Sequence, residues 1–382
     1  MAHYTISLIV LVVDMKKILV TGSSGFVGGA VVAELLMRQD VELLLLVRAG
    51  DAIQGLERVK DNLTKFSCSA QAIQRLTADQ ILVGDLLAPE LFLDDARIDE
   101  VSHVINCAAI ASFGENNDIW RVNVEGTFKL AARMAELPAF VKFVHVGTAM
   151  SSAPDQGEIV KEDLVLSSRE DHIVDYTYSK SYIENKIKQE LPHLPLVIAR
   201  PSIVVGHSQE GCTPSGSIFW VFKMVMKLEK FLCSLDDRVD VIPVDYCAKS
   251  LVFLLDHGCT DEMVYHISAG ERSSNTFSEI DSAFATAEKS APLAPNYLQV
   301  DFSEIVKERK NFKKIYGPCN ERLMLRAMRL YGEFARLNVV FSNDKLLRLG
   351  MSSPPGFTSY IDRCVETTKG MPIQDLMRVD FK

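Results

Sequence analysis

The residues best suited to chemistry sit in DYTYSKSY (175–182), where three tyrosines surround one lysine. Only Tyr176 stands four residues before Lys180, a spacing that puts both side chains on one face of a helix. Tyr178 and Tyr182, two residues to either side of the lysine, point elsewhere, to pack or to line a cleft. Reduction of a carbonyl by hydride leaves an alkoxide, which needs a proton donor within hydrogen-bond reach. A free phenol, with a pKa of about 10, is a poor participant at neutral pH. A lysine one turn away stabilises the phenolate and can also hold the ribose of a nicotinamide cofactor. Tyr176 is therefore the candidate proton donor and Lys180 its partner. Thr148, at the end of an apolar stretch about thirty residues earlier, supplies a hydroxyl able to orient the carbonyl oxygen. The same pair on an ordinary solvated helix would do nothing, so the elements that position it decide the matter.

TGSSGFVGG contains Gly22, Gly25 and Gly28 between a short apolar strand (17–20) and a stretch with Val27, Val31, Leu35 and Leu36 at helical spacing. Glycines at a strand–helix turn let the backbone approach a pyrophosphate, and the helix N-terminus offers it free N–H groups. This context predicts a dinucleotide site. The next strand, VELLLLVRAG (41–50), ends at Arg48. A carboxylate there would bind both ribose hydroxyls and repel a 2′-phosphate, whereas an arginine can clamp that phosphate with its planar fork. NADP(H) is the cofactor this favours. Asp85, in Gly84-Asp85-Leu86 at the end of the third strand, is placed to accept from the adenine amino group or to cap the turn that follows.

ILVGDL (81–86), VSHVINCAA (101–109), FVKFVHVGT (140–148) and LPLVIARPS (194–202) repeat the pattern of buried strands separated by helical stretches, which predicts an α/β fold: a parallel sheet with helices on both faces. After Pro201 the pattern changes. A Gly/Ser/Pro-containing loop (206–217) precedes the apolar helix-like IFWVFKMVMKL (218–228), and residues 239–258 read as a strand and helix returning to the first domain. The expected division is a dinucleotide-binding domain over 15–205, rejoined by 239–258, and a smaller, mainly helical substrate lobe from 206–238 and 259–382. Between Glu304 and Arg348 eleven Lys/Arg face five Asp/Glu, a basic stretch in a chain whose net charge is −9. It reads either as a solvated helical face or as a dock for an anionic donor, with Phe312 and Tyr316 packing nearby.

The acidic balance, with a pI near 5.5, argues against general nucleic-acid binding. Eight scattered cysteines, without a C-x-x-C pair or a Cys/His grouping at metal-ligand spacing, read as reduced thiols of a cytoplasmic protein that holds no metal. ISLIVLVV (6–13) is too short to span a bilayer, and no other stretch reaches that length without charges, so no stable membrane insertion is expected. A strand can begin at Met15, leaving residues 1–14 as an upstream-start extension or a short extra element.

Taken together, TGSSGFVG, GDL, NVEGT (123–127), Thr148, Y-x-x-x-K and RPSIV (200–204) resemble the extended short-chain dehydrogenase/reductase superfamily across most of residues 15–285. Within it, LLLLVRAGD (43–51), AAIASFGENNDIWRVNVEGT (108–127), IARPSIVVG (198–206) and YHISAGERSSNTFSEI (265–280) are most similar to the fatty acyl-CoA reductase and thioester-reductase branch. The resemblance implies a Rossmann-type doubly wound sheet and cofactor contacts at Ser24, Phe26, Val27, Leu86, Ala108, Asn123, Lys180, Pro201 and Ile203. It also implies NADPH-dependent reduction of an acyl thioester, carried by CoA or an acyl carrier protein, to an aldehyde and in some relatives an alcohol. Asn106 stands where relatives often carry histidine, and Gly147 where acyl reductases usually have serine. A sugar-nucleotide epimerase or dehydratase, a hydroxysteroid-type dehydrogenase and a non-catalytic NADP(H) sensor remain open at this point.

Overall fold

A computed structural model describes residues 15–112, 114 and 116–377; the expectation for residues 1–14 falls outside them. Seven strands form the main sheet: β1 (Lys16–Thr21), β2 (Val41–Val47), β3 (Ile81–Val83), β4 (His103–Asn106), β5 (Lys142–Val146), β6 (Leu196–Pro201) and β7 (Val264–Ile267). Their order is β3-β2-β1-β4-β5-β6-β7, and every neighbouring pair is parallel. The order reverses beside β1, which opens a crevice at the carboxyl ends of β1 and β4.

Strand geometry explains how these short apolar runs build a three-layer domain. Successive side chains of a strand face opposite sides of the sheet. Accordingly Ile18, Val20, Leu43 and Leu45 enter one core, while Leu19, Leu44, Leu46 and Val104 enter the other. The first core is covered by α1 (Phe26–Leu35) and α2 (Ala52–Leu63), the second by α3 (Thr127–Ala135) and α4 (Asp175–Glu190).

Beyond β6 the chain builds a separate apolar core around α5 (Phe219–Leu228) before α6 (Val244–His257) returns to the first domain. Charge as well as packing pins α6 there: Asp256 accepts from Lys16 at 2.5 Å and from Arg38 at 2.6 Å. The linear boundary expected near residue 259 needs correction, because β7 pairs with β6 through Val264↔Ile198 and Ile267↔Pro201 and so belongs to the sheet. The strand preceding α6, Val241–Ile242, pairs with Ile203–Val204 outside that sheet. That separate core is completed by α7 (Phe277–Glu288) and α8 (Glu321–Arg336), and Phe312 and Tyr316 are buried in it. No described helix is long and apolar enough to cross a membrane.

Candidate active site

Tyr176, Lys180 and Glu184 follow one another at intervals of four along α4, while Ile183 and Ile187 anchor the helix in the sheet core. Lys180 is 2% exposed, and its Nζ donates to the Val146 carbonyl at 2.7 Å, which fixes the ammonium at the end of β5. Burial pushes its pKa down to about 8, against the opposing pull of the Glu184 carboxylate. Burial, reinforced by Glu184, raises the Tyr176 phenol to about 12. Both effects favour the neutral phenol in the free site, the form in which Tyr176 has a proton to give.

Thr148 opens the turn Ala149–Ser152 directly after β5 and lines the same cleft as Tyr176 and Lys180. Tyr178 turns outward, its ring 6.0 Å from Trp120 and 6.1 Å from Tyr182, so these tyrosines pack rather than line the cleft.

Behind the pair lies an ion pair that the sequence reading did not assign. Glu184 and Arg200 are both fully buried; Glu184 Oε2 accepts from Arg200 Nη2 at 2.6 Å and from Nε at 3.1 Å. A Cβ at Gly147 would overlap the other carboxylate oxygen. The glycine found in place of a serine is therefore what admits Glu184 against the strand end. Glu184 was findable as the third member of the i, i+4, i+8 series, and Arg200 from its place beside Pro201.

The cleft measures about 610 Å³. Gly22, Ser24, Gly25, Phe26, Val27 and Gly28 line it from the first turn, Arg48, Asp85 and Leu86 from the next two strand ends, and Ala108, Pro201 and Ile203 from beyond β4 and β6. Gly22 adopts φ +67°, and a Cβ there would lie 2.9 Å from the Ala108 amide nitrogen, so only glycine lets the turn sit this close to the opposite wall. This bare backbone cradle at the head of α1 fits a pyrophosphate. Arg48 is exposed at the rim with Nη1 3.7 Å from Asp85 Oδ2, and Arg58, which donates to the Arg48 carbonyl at 2.9 Å, adds a second cation not assigned from the sequence. Asp51, the nearest carboxylate after β2, is used as the N-cap of α2, accepting from Gln54 N.

Asn123 calls for a correction. It lies fully buried in a turn wound as a π-helix (Arg121–Gly126), where its amide bonds both backbone groups of Ile110 and the Ser179 hydroxyl. It braces the cleft wall against α4 instead of lining the lumen. Asn106 acts similarly: it accepts from Thr21 Oγ1 at 2.6 Å, and that hydroxyl accepts from Ala108 N. Both polar side chains are spent holding the 107–112 segment.

A nicotinamide-dinucleotide cradle facing a tyrosine–lysine pair across the switch point of this sheet defines an extended short-chain dehydrogenase/reductase. Comparison with known proteins narrows this. The chain belongs to the family described as male sterility protein, matching it over residues 20–251. It is 25% identical over 277 residues to the fatty acyl-CoA reductase wat of Drosophila melanogaster, covering 62% of this chain and 53% of that one. The terminal R domain from the myxalamid PKS-NRPS biosynthetic pathway has a similar fold, with a TM-score of 0.72 and 21% identity over 93% of this chain and 91% of that chain. So does a thiolation-reductase di-domain from an archaeal non-ribosomal peptide synthetase, at TM-score 0.68 and 19% identity over 93% and 75%. The chain spans about half the length, or less, of the curated relatives it matches.

Proposed function

We propose that the protein reduces acyl thioesters with NADPH, releasing an aldehyde and, after a second hydride, an alcohol. The observation that carries this reading is the make-up of the cleft: beyond Thr148 and Tyr176 it is walled by Ile218, Tyr331, Phe334 and Phe341, so the reacting carbonyl meets an apolar substituent site. A sugar nucleotide would find few hydrogen-bond partners on that wall.

When bound, the reduced nicotinamide supplies the hydride. The turn at Gly22 and the head of α1 would hold the pyrophosphate, and Arg48 with Arg58 would meet the 2′-phosphate. Lys180 would hold the nicotinamide-side ribose with its ammonium. The Thr148 and Tyr176 hydroxyls donate to the substrate carbonyl oxygen, and Tyr176 passes its proton there as negative charge develops. Collapse of the resulting thiohemiacetal expels the thiol and leaves the aldehyde.

The anionic part of the donor, CoA phosphates or the acidic face of a carrier protein, meets the basic 304–348 stretch. Much of that stretch is neutralised internally, since Glu321 faces both Arg309 and Lys313 and Glu333 faces Arg329. Arg326 is better placed: a Cβ at Gly114, two residues beyond the cleft-lining Ser112, would lie 3.6 Å from its guanidinium. Eight free cysteines fit a reducing compartment, the cytoplasm. The test is to supply NADPH with an acyl-CoA, a simple ketone or a sugar nucleotide and follow loss of the reduced cofactor. Consumption with the thioester is expected; consumption only with one of the others overturns the reading.

A further inference from the structure

Where the catalytic cleft meets the smaller lobe it adjoins a second chamber of about 60 Å³. Met150, Ile203, Ile218, Tyr331, Phe334 and Phe341 line both spaces, so they make up the boundary at which the chamber's mouth would open. Past it, Val221, Phe222 and Val225 of α5 and Ala335 of α8 close the far side.

The polar residues of the chamber turn their polar atoms into the protein. The Arg238 guanidinium donates to Ser274 Oγ and to the carbonyls of Ser274 and Glu271. The Asp240 carboxylate accepts from the backbone amides of Ala269 at 2.6 Å and Phe341 at 3.1 Å. Asn338 Oδ1 accepts from Arg238 N at 2.8 Å. What the chamber presents to an occupant is therefore hydrocarbon.

We infer that this chamber receives the ω-end of the acyl chain and sets its preferred length. The inference rests on the thioester-reductase reading and narrows it to unbranched, unsubstituted acyl groups. An amide or hydroxyl pushed past the mouth would lose water without gaining a partner. An apolar cavity of about 150 Å³ holds one benzene, so this one holds roughly two or three carbons. The length preference should accordingly rise and then stop, because further methylenes have no space to enter without strain.

The test uses saturated S-acyl-pantetheine thioesters of increasing length with NADPH, on the wild type, Ala335→Leu and Val225→Ala. Each methylene that enters the chamber should raise kcat/KM about fourfold, up to a sharp plateau or fall. Ala335→Leu should move that limit two or three carbons shorter, and Val225→Ala should move it longer by about one. In parallel, saturated alkyl amides of the same lengths are titrated while the fluorescence of Trp220 is read; this residue is fully buried with its ring 5.5 Å from that of Tyr331.

Rates independent of chain length, or variants that scale every length equally, overturn the chamber assignment and leave thioester reduction standing. Amides that bind with the predicted length limit, in a protein that reduces no thioester, support the chamber and overturn the catalytic reading. Failure of both turnover and amide binding overturns both. Because the two variants move the limit in opposite directions, misfolding of one leaves the other decisive.

Discussion

The two walls of the cleft are built from different materials. The wall at the glycine turn is mostly backbone, made of strand ends, one turn with a positive φ at Gly22 and the head of α1, with Arg48 and Arg58 at its rim. The opposite wall is made of side chains: Ile218 at the head of α5, Tyr331 and Phe334 of α8 and Phe341 of the strand that follows, the first about a hundred residues from the others in the chain. Backbone groups bind a constant chemical unit, so the first wall suits a shared cofactor. Side chains can be exchanged without disturbing a sheet, so the second suits a substrate that differs between relatives. Between the walls stands α4, whose Tyr176–Lys180 face is backed by the buried Glu184–Arg200 pair.

This contrast breaks most readily at the brace. Arg200→Met leaves Glu184 buried without its cation, and removing one partner of such a pair costs about 3–5 kcal/mol. Urea unfolding should show that loss; a change within about 0.5 kcal/mol would mean that the pair does not hold α4.

Next in size is Tyr176→Phe, which should lower turnover at least ~10²-fold while cofactor affinity, read by fluorescence titration, stays within about twofold. Tyr178→Phe, on the outward face, should be mild by comparison.

Cofactor choice should shift less. Replacing Arg48 and Arg58 together by alanine should weaken NADPH about tenfold, by loss of charge-assisted bonds, and leave NADH almost unchanged. Equal loss for both would remove the phosphate clamp from the account.

The smallest effect is a pH trend with opposite signs in two measurements. With Lys180 near 8 in the fold against an ordinary 10.5, the unfolded chain binds more protons between those values. Stability should therefore rise with pH across that window as the cost of burying a charge is relieved. Turnover, which needs the ammonium, should fall over the same range. A turnover flat to pH 9 would exclude Lys180 as the titrating group.

How much of this was legible in the sequence follows from the same contrast. The gathering of Gly22, Arg48, Asp85, Tyr176 and Lys180 in one cleft is legible, because each is marked by its position relative to a strand end or by helical spacing. Asn123 carries the same kind of motif signal, yet its amide points into the wall, since a motif marks a place in the chain and not a side-chain direction. Arg58 escaped notice because an exposed helical arginine carries no periodic signal. The apolar mouth at Ile218, Phe334 and Phe341 is illegible for a stronger reason: buried apolar residues on distant elements look like any core until the fold brings them to one opening. The return of β7 to the sheet was missed because a four-residue apolar strand inside a helical region has no distinguishing period.

The most direct test of the account is to measure free thiol released alongside NADPH consumed when an acyl-CoA is mixed with the enzyme. Thioester reduction predicts one thiol for each NADPH where the product is the aldehyde, or one for every two where it is the alcohol, and no thiol when NADPH is withheld. NADPH loss without thiol release, or thiol release without NADPH, would contradict it.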